Sequence, residues 1–198
     1  SGPFGSSQWM YKSGDYEIAN SVRFNNDDDA KLTFAHGTAG NRKTWTWSGW
    51  LKRGSDLGSH TVFFACNNGS IRHYLSFDSA NRFYVYSPSG IECTSAAVFR
   101  DTSAWYHILA VQDTTQATAG NRFKVYINGT QIALTFQATP NEDADMGINV
   151  AGNHFLSSSS DATDEPFDGY MAEVHFIDGT AKVPADFAET GDYGEWKP

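Results

Sequence analysis

The sequence predicts an all-β sandwich, and three observations carry that expectation. Short segments that alternate apolar and polar residues recur at a spacing of about ten residues, separated by turns rich in Asn, Gly and Asp. No stretch of about ten residues or more carries an apolar 3.6-residue period with end caps, apart from one turn over residues 184–188. Six Trp and fourteen Phe supply a large apolar payload to a chain whose mean hydropathy is −0.46, which suits a core shared by two sheets with polar outer faces.

The elements follow in chain order. Residues 1–20 are rich in Gly, Ser, Trp and Tyr without a helical period and read as an extended N-terminal arm. Residues 21–198 read as one domain, since sandwiches of this length commonly form a single unit. Residues 21–24 begin a strand. The polar run Asn25, Asn26, Asp27, Asp28, Asp29 is a turn and residues 31–34 a second strand, a hairpin entry. In residues 44–52, TWTWSGWLK, alternation puts Trp45, Trp47, Gly49 and Leu51 on a core face and Thr46, Ser48 and Trp50 on the opposite one. Residues 61–65, 72–77 and 82–86 form a meander whose turns fall at 67–69 and 79–81. Residues 105–113 and 123–127 are two more strands. The second runs into Asn128-Gly129, a strong hairpin signal, and residues 132–136 return antiparallel. Both Asn128-Gly129-Thr130 and Asn68-Gly69-Ser70 match the glycosylation sequon, but turn chemistry accounts for them. Residues 147–151 read as a short strand, 157–166 as a Ser- and Asp-rich loop and 170–177 as a final alternating strand.

Charge and composition limit the partners. A net charge of −9 lacks the basic surface that phosphate backbones require, so neither nucleic acid nor an anionic membrane is expected as a partner. No run approaches the roughly 18 apolar residues of a membrane span. Cys66 and Cys93 are too few for a disulfide scaffold and wrongly spaced for a zinc ribbon; two half-buried free thiols are the expectation, with a disulfide between them as the alternative.

Four segments, WTWSGWLKR (45–53), WYHILAVQD (105–113), FKVYINGTQI (123–132) and FDGYMAEVHFIDG (167–179), together and in this order resemble laminin-G-like and concanavalin A-like domains. The wording of GPFGSSQWMY, SVRFNNDD, NRKTWTWSGWLKRG and FDGYMAEVHFIDGTAKVPADF further resembles a subfamily found in bacteriophage structural and tail-associated proteins. The resemblance implies a two-sheet antiparallel jelly roll that binds ligands on a concave sheet or at rim loops. It also implies an extracellular, virion-borne location, with a glycan or host-surface receptor as partner. The arm, with Trp9, Met10 and Tyr11, is apolar enough to dock on its own sandwich, on a neighbouring subunit or on other virion proteins. Fold alone fixes no function, so the site residues must argue it.

Hydrolases on this fold cleave with two carboxyl groups about 5 Å apart on one strand. The nearest run, Glu142-Asp143-Ala144-Asp145, lacks that spacing and reads as a solvated loop. No GxSxG elbow occurs, and the six His share no catalytic spacing. His107 reads as a hydrogen-bonded structural imidazole. Enzyme activity is therefore not expected.

Calcium is the cofactor the resemblance puts forward, with Asp27, Asp28 and Asp29 as its densest candidate ligands; the competing reading is a solvated acidic turn. A glycan site needs an aromatic plate and planar polar groups. Trp50 supplies the plate, with Thr46 and Ser48 beside it, and Glu173 and His175 face outward from the neighbouring strand. The loops at 36–42, 54–60 and 153–166 are an alternative contact. The competing reading buries Trp50 beneath a loop and pairs Glu173 with Lys52 or Arg53. Two functions follow, a non-catalytic lectin-like module or a structural virion protein working through protein contacts, with a glycoside hydrolase as the remote third alternative.

Overall fold

The computed structural model describes residues 16–55, 58–67, 72–160 and 165–198. The first fifteen residues of the arm, Trp9, Met10 and Tyr11 among them, and the Asn68-Gly69-Ser70 turn lie outside the described residues. The strands are β1 (Val22–Phe24), β2 (Leu32–His36), β3 (Thr44–Arg53), β4 (His60–Asn67), β5 (Arg72–Asp78), β6 (Arg82–Ser87), β7 (Ile91–Val98) and β8 (Tyr106–Asp113). They continue as β9 (Phe123–Ile127), β10 (Thr130–Gln131), β11 (Leu134–Ala138), β12 (Gly152–Leu156), β13 (Gly169–Asp178), β14 (Glu189–Thr190) and β15 (Trp196–Lys197). Two antiparallel sheets face each other, ordered β1-β13-β3-β8-β9-β10 and β11-β7-β6-β5-β4-β12-β2, and β14 and β15 form a separate ribbon. This is the sandwich that the alternation predicts, in the jelly-roll form that the resemblance implies.

The core lies between the two sheets. Trp45, Trp47 and Leu51 of β3 enter it together with Phe63, Phe77 and Phe83 of the opposite sheet and Phe123 of β9. Trp47 stacks in a tilted pair with Phe63 at 5.1 Å, and Trp45 stacks on Phe176 at 5.7 Å. Fully burying such rings contributes about 2–3 kcal/mol each; the Trp47–Phe63 pair bridges the two sheets, whereas Trp45 and Phe176 pack within one of them. Asn128 (φ 48°) and Gly129 (φ 78°) are both left-handed, as a two-residue turn between twisted strands requires.

Three expectations are corrected, and one strand has no counterpart among the expected ones. The first two strands do not form a hairpin: β1 pairs with β13 in one sheet and β2 with β12 in the other. The acidic turn between them, with a short 3-10 segment and a left-handed Asp29, is instead a corner that carries the chain across the sandwich. The return after Asn128-Gly129 lasts only through Gln131; the chain then changes sheets and Leu134–Ala138 pairs with β7. Residues 147–151 alternate as a strand would, burying Met146, Ile148 and Val150, but Asn149 is left-handed (φ 68°) and the ladder begins only at Gly152. Finally, β7 escaped the sequence reading because IECTSAAV is small and weakly β-prone, and its neighbours β6 and β11 hold it in place.

Candidate functional site

The site is built on three neighbouring strands of the six-stranded sheet. Trp50 of β3 lies opposite His107 of β8 and Ala172 of β13, and Ser48 lies opposite Leu109 and His175. Alternation sends Thr46, Ser48 and Trp50 to the face away from the core, as expected. That face is covered, however, because residues 16–21 and the segment after β13 fold back over it. Trp50 joins Ala172, Ala188, Ile18 and Trp196 in a satellite apolar cluster.

A buried hydrogen-bond chain ties the C-terminal ribbon down. The Trp196 indole N–H donates to His107 Nδ1 at 3.0 Å, and His107 Nε2 lies 2.9 Å from Ser48 Oγ. An indole nitrogen can only donate, so Nδ1 is the acceptor and the proton sits on Nε2, which donates to the serine. A serine nucleophile needs the reverse arrangement, with Nε2 taking its proton. Burial pushes the imidazole down to about 4, with the neighbouring His175 adding to the effect, so His107 is neutral near pH 7. Ser48 and His107 are thus a structural pair, the role expected of this histidine.

A β-bulge sets the polar side of the site. Ala172 pairs with Trp50 and His175 with Ser48, so Glu173 and Val174 together oppose Gly49. Met171 points into the core and Ala172 outward, so an unbroken strand would send Glu173 inward. The extra residue, with Glu173 at φ 46°, instead keeps Glu173 on the outer face while Val174 and Phe176 pack against the core. A left-handed non-glycine residue costs on the order of 1 kcal/mol, a strain held where it aims a functional group. Glu173 accepts a hydrogen bond from the Tyr16 hydroxyl at 2.7 Å and lies 3.3 Å from His175 Nε2. The carboxylate raises the Tyr16 phenol above its ordinary value, chiefly through this hydrogen bond.

Ser48, Trp50, His107, Glu173, His175 and Phe187 line one cavity of about 350 Å³, with Tyr16, Asp186 and Pro198 at its margin. Four of the five ligand residues expected from sequence therefore meet: Trp50, Ser48, Glu173 and His175. Thr46 does not, because its hydroxyl donates to Thr180 O at 2.8 Å and accepts from Lys182 N at 3.0 Å. Trp50 is corrected in role: at 7% exposure it is a wall under Trp196 and Ile18 and no open plate. Glu173 contacts Tyr16 and His175 in place of Lys52 or Arg53. Tyr16, Phe187 and the capping ribbon were invisible to strand alternation, because they come from irregular segments folded back over the sheet.

The other candidates lie elsewhere. Asp27, Asp28 and Asp29 are exposed in the corner turn, where Asn25 Nδ2 donates to Asp28 at 2.7 Å. Among the described residues no group of three or more His, Cys, Asp or Glu side chains comes together as a metal-binding set, these three included. Glu142 and Asp143 pair at the surface with Arg122 and Lys43. Both cysteines are free and buried, and burial pushes their thiols up to about 11 for Cys66 and about 12 for Cys93.

A family profile described as Concanavalin A-like lectin/glucanases superfamily, of laminin G type, matches residues 24–184, well over half of the chain. The chain belongs to this superfamily. Among solved structures this concanavalin A-like domain is similar to domain 4 of AbnA, an extracellular arabinanase from Geobacillus stearothermophilus, in complex with arabinotriose. The TM-score is 0.58 at 20% identity, over 85% of this chain and 75% of that one. It is also similar to domains LG4-5 of the mouse laminin alpha1 chain, with TM-score 0.56 and 10% identity over 83% of this chain and 46% of that one, so it spans under half of the laminin pair. A heptameric SAP-like pentraxin from Limulus polyphemus gives 0.51 and 15% identity, over 74% and 68% of the two chains. At these identities the likeness is one of fold. No curated protein matches the chain.

Proposed function

We propose that this concanavalin A-like domain is a non-catalytic glycan-binding module whose ligand sits on the outer face of the six-stranded sheet. The observation that carries the reading is the bulge that turns Glu173 outward beside His175, in a cavity walled by Trp50 and Phe187. A carboxylate and an imidazole beside aromatic surface is the chemistry that holds sugar hydroxyls against an apolar sugar face. The arabinotriose complex of the similar AbnA domain supports the same reading. The buried, wrongly protonated Ser48–His107 pair supports a binding role without catalysis. The motif wording that resembles bacteriophage proteins supports display on the outside of a virion, facing a host-surface glycan.

A second reading, assembly with other virion proteins, has its own observation. The edge strand β2 leaves Leu32 51% and Phe34 63% exposed, beside an apolar groove bounded by Phe64, Leu156 and Phe176. Such an edge offers a strand-pairing and apolar contact to a protein. A broad glycan array probed with the full chain, in calcium and again in EDTA, alongside Glu173→Gln, separates the two. Saturable binding lost in Glu173→Gln supports the glycan reading, and a blank array refutes it in favour of assembly. Binding lost in EDTA would put calcium in the site, while binding kept in EDTA leaves the acidic corner turn without that role.

A further inference from the structure

The Glu173–His175 cavity does not end at Trp50. A second cavity of about 520 Å³ adjoins it, sharing Tyr16, Trp50 and Pro198, and runs on past Trp105 and Trp196. Trp105 is 36% exposed and stands 6.5 Å from the exposed Tyr170 ring, so the open aromatic plate missing at Trp50 is present one cavity further along. Both cavities are in the size range of small-ligand sites.

Charge along this cleft is mostly negative. Glu173 and Asp186 border the first cavity, and Glu17 and Glu195 line the second, where Lys197 is the single lysine or arginine among the described lining residues. Lys197 lies 3.5 Å from Glu189. Two further cations are paired: Arg23 with Asp168 at 2.7 Å and Lys182 with Asp186 at 3.9 Å. His175 faces Glu173, and His107 beneath it is neutral. The described residues lining the two cavities include no arginine, so an anionic sugar would meet carboxylates without the guanidinium that anionic glycan recognition ordinarily uses.

We propose that the two cavities form one cleft for an oligosaccharide of at least two units that carries no negative charge, one unit held at Glu173–His175 and the next stacked on Trp105, and that acidic glycans are rejected. This rests on the glycan reading above and adds its length and charge selection.

The test is titration of the full chain with matched ligands found on the array: a neutral oligosaccharide, its sialylated counterpart and its single terminal unit. The neutral ligand should bind about tenfold or more tightly than the sialylated one at low salt, the gap narrowing with added salt. Glu17→Gln with Glu195→Gln, both surface changes, should close most of that gap. Trp105→Ala should weaken the oligosaccharide several-fold and leave the single unit unchanged. Equal or tighter sialylated binding, or a gap untouched by the double variant, overturns the charge selection and leaves the glycan reading standing. Equal loss of single unit and oligosaccharide in Trp105→Ala overturns the two-unit cleft. Absence of binding to any glycan overturns the glycan reading and this inference with it.

Discussion

Lowering the pH from 7 to 5 should remove a large part of the domain's stability, because three histidines are buried in neutral form. His73, His107 and His154 are all pushed down to about 4, in each case mainly by burial, with Arg42, His175 and His36 respectively adding to it. His73 shares a 2.6 Å hydrogen bond with Ser87, and His154 has an Nε2 with no hydrogen-bond partner. In the unfolded chain each imidazole protonates near 6.5; in the folded domain it does so only near 4. Between those values the unfolded state binds more protons, so stability falls as pH falls, and the loss is complete only below about 4. From pH 7 to 5 the linkage gives about 2 kcal/mol per histidine and about 6 kcal/mol for three, comparable with the whole stability of many domains. Urea unfolding followed by tryptophan fluorescence at pH 7, 6 and 5 reads the slope directly. Replacing His107 with Gln should remove about a third of it. A stability flat within about 1 kcal/mol over that range would refute the assignment of neutral buried imidazoles.

Three further outcomes are expected. Trp196→Phe keeps the ring but leaves His107 Nδ1 without its donor, costing about 1–2 kcal/mol in unfolding and exposing the C-terminal ribbon to limited proteolysis; unchanged proteolysis would break the proposed tether. Gly129→Ala should destabilise by at least about 1 kcal/mol, since its φ is 78° and a Cβ would stand 2.6 Å from the Trp196 ring, and a neutral melting shift would contradict that packing. Cys66 and Cys93, buried with raised thiols, should react with a thiol reagent only after unfolding, and fast native labelling would contradict their burial.

Strand alternation made most of the sandwich legible. Trp45, Trp47 and Leu51 announce a core face because period two admits no other arrangement, and Asn128-Gly129 announces its turn because both positions need positive φ. Sheet membership was not legible: Leu134 and Phe136 alternate equally well whether their strand returns beside β9 or crosses to β7. The site was half legible. Ser48, Trp50, Glu173 and His175 do share a face, but the phase slip between Met171 and Glu173 is absorbed by a bulge that no single-residue signal marks. Trp50 looked like an open plate because alternation says which face a residue takes and nothing about what later covers that face. Its covering comes from Ile18, Ala188 and Trp196, distant in sequence and irregular or barely stranded.

The central claim is that ligand binds on the outer face of the six-stranded sheet, and NMR titration of the labelled full chain with an array-positive oligosaccharide tests it most directly. The account predicts shifts concentrated at the indole signals of Trp50, Trp105 and Trp196 and at the amides around Glu173 and His175, with the core indoles of Trp45 and Trp47 unmoved. Shifts confined to the loops at 36–42 and 153–160 or to the β2 edge, with those indoles unchanged, would contradict it.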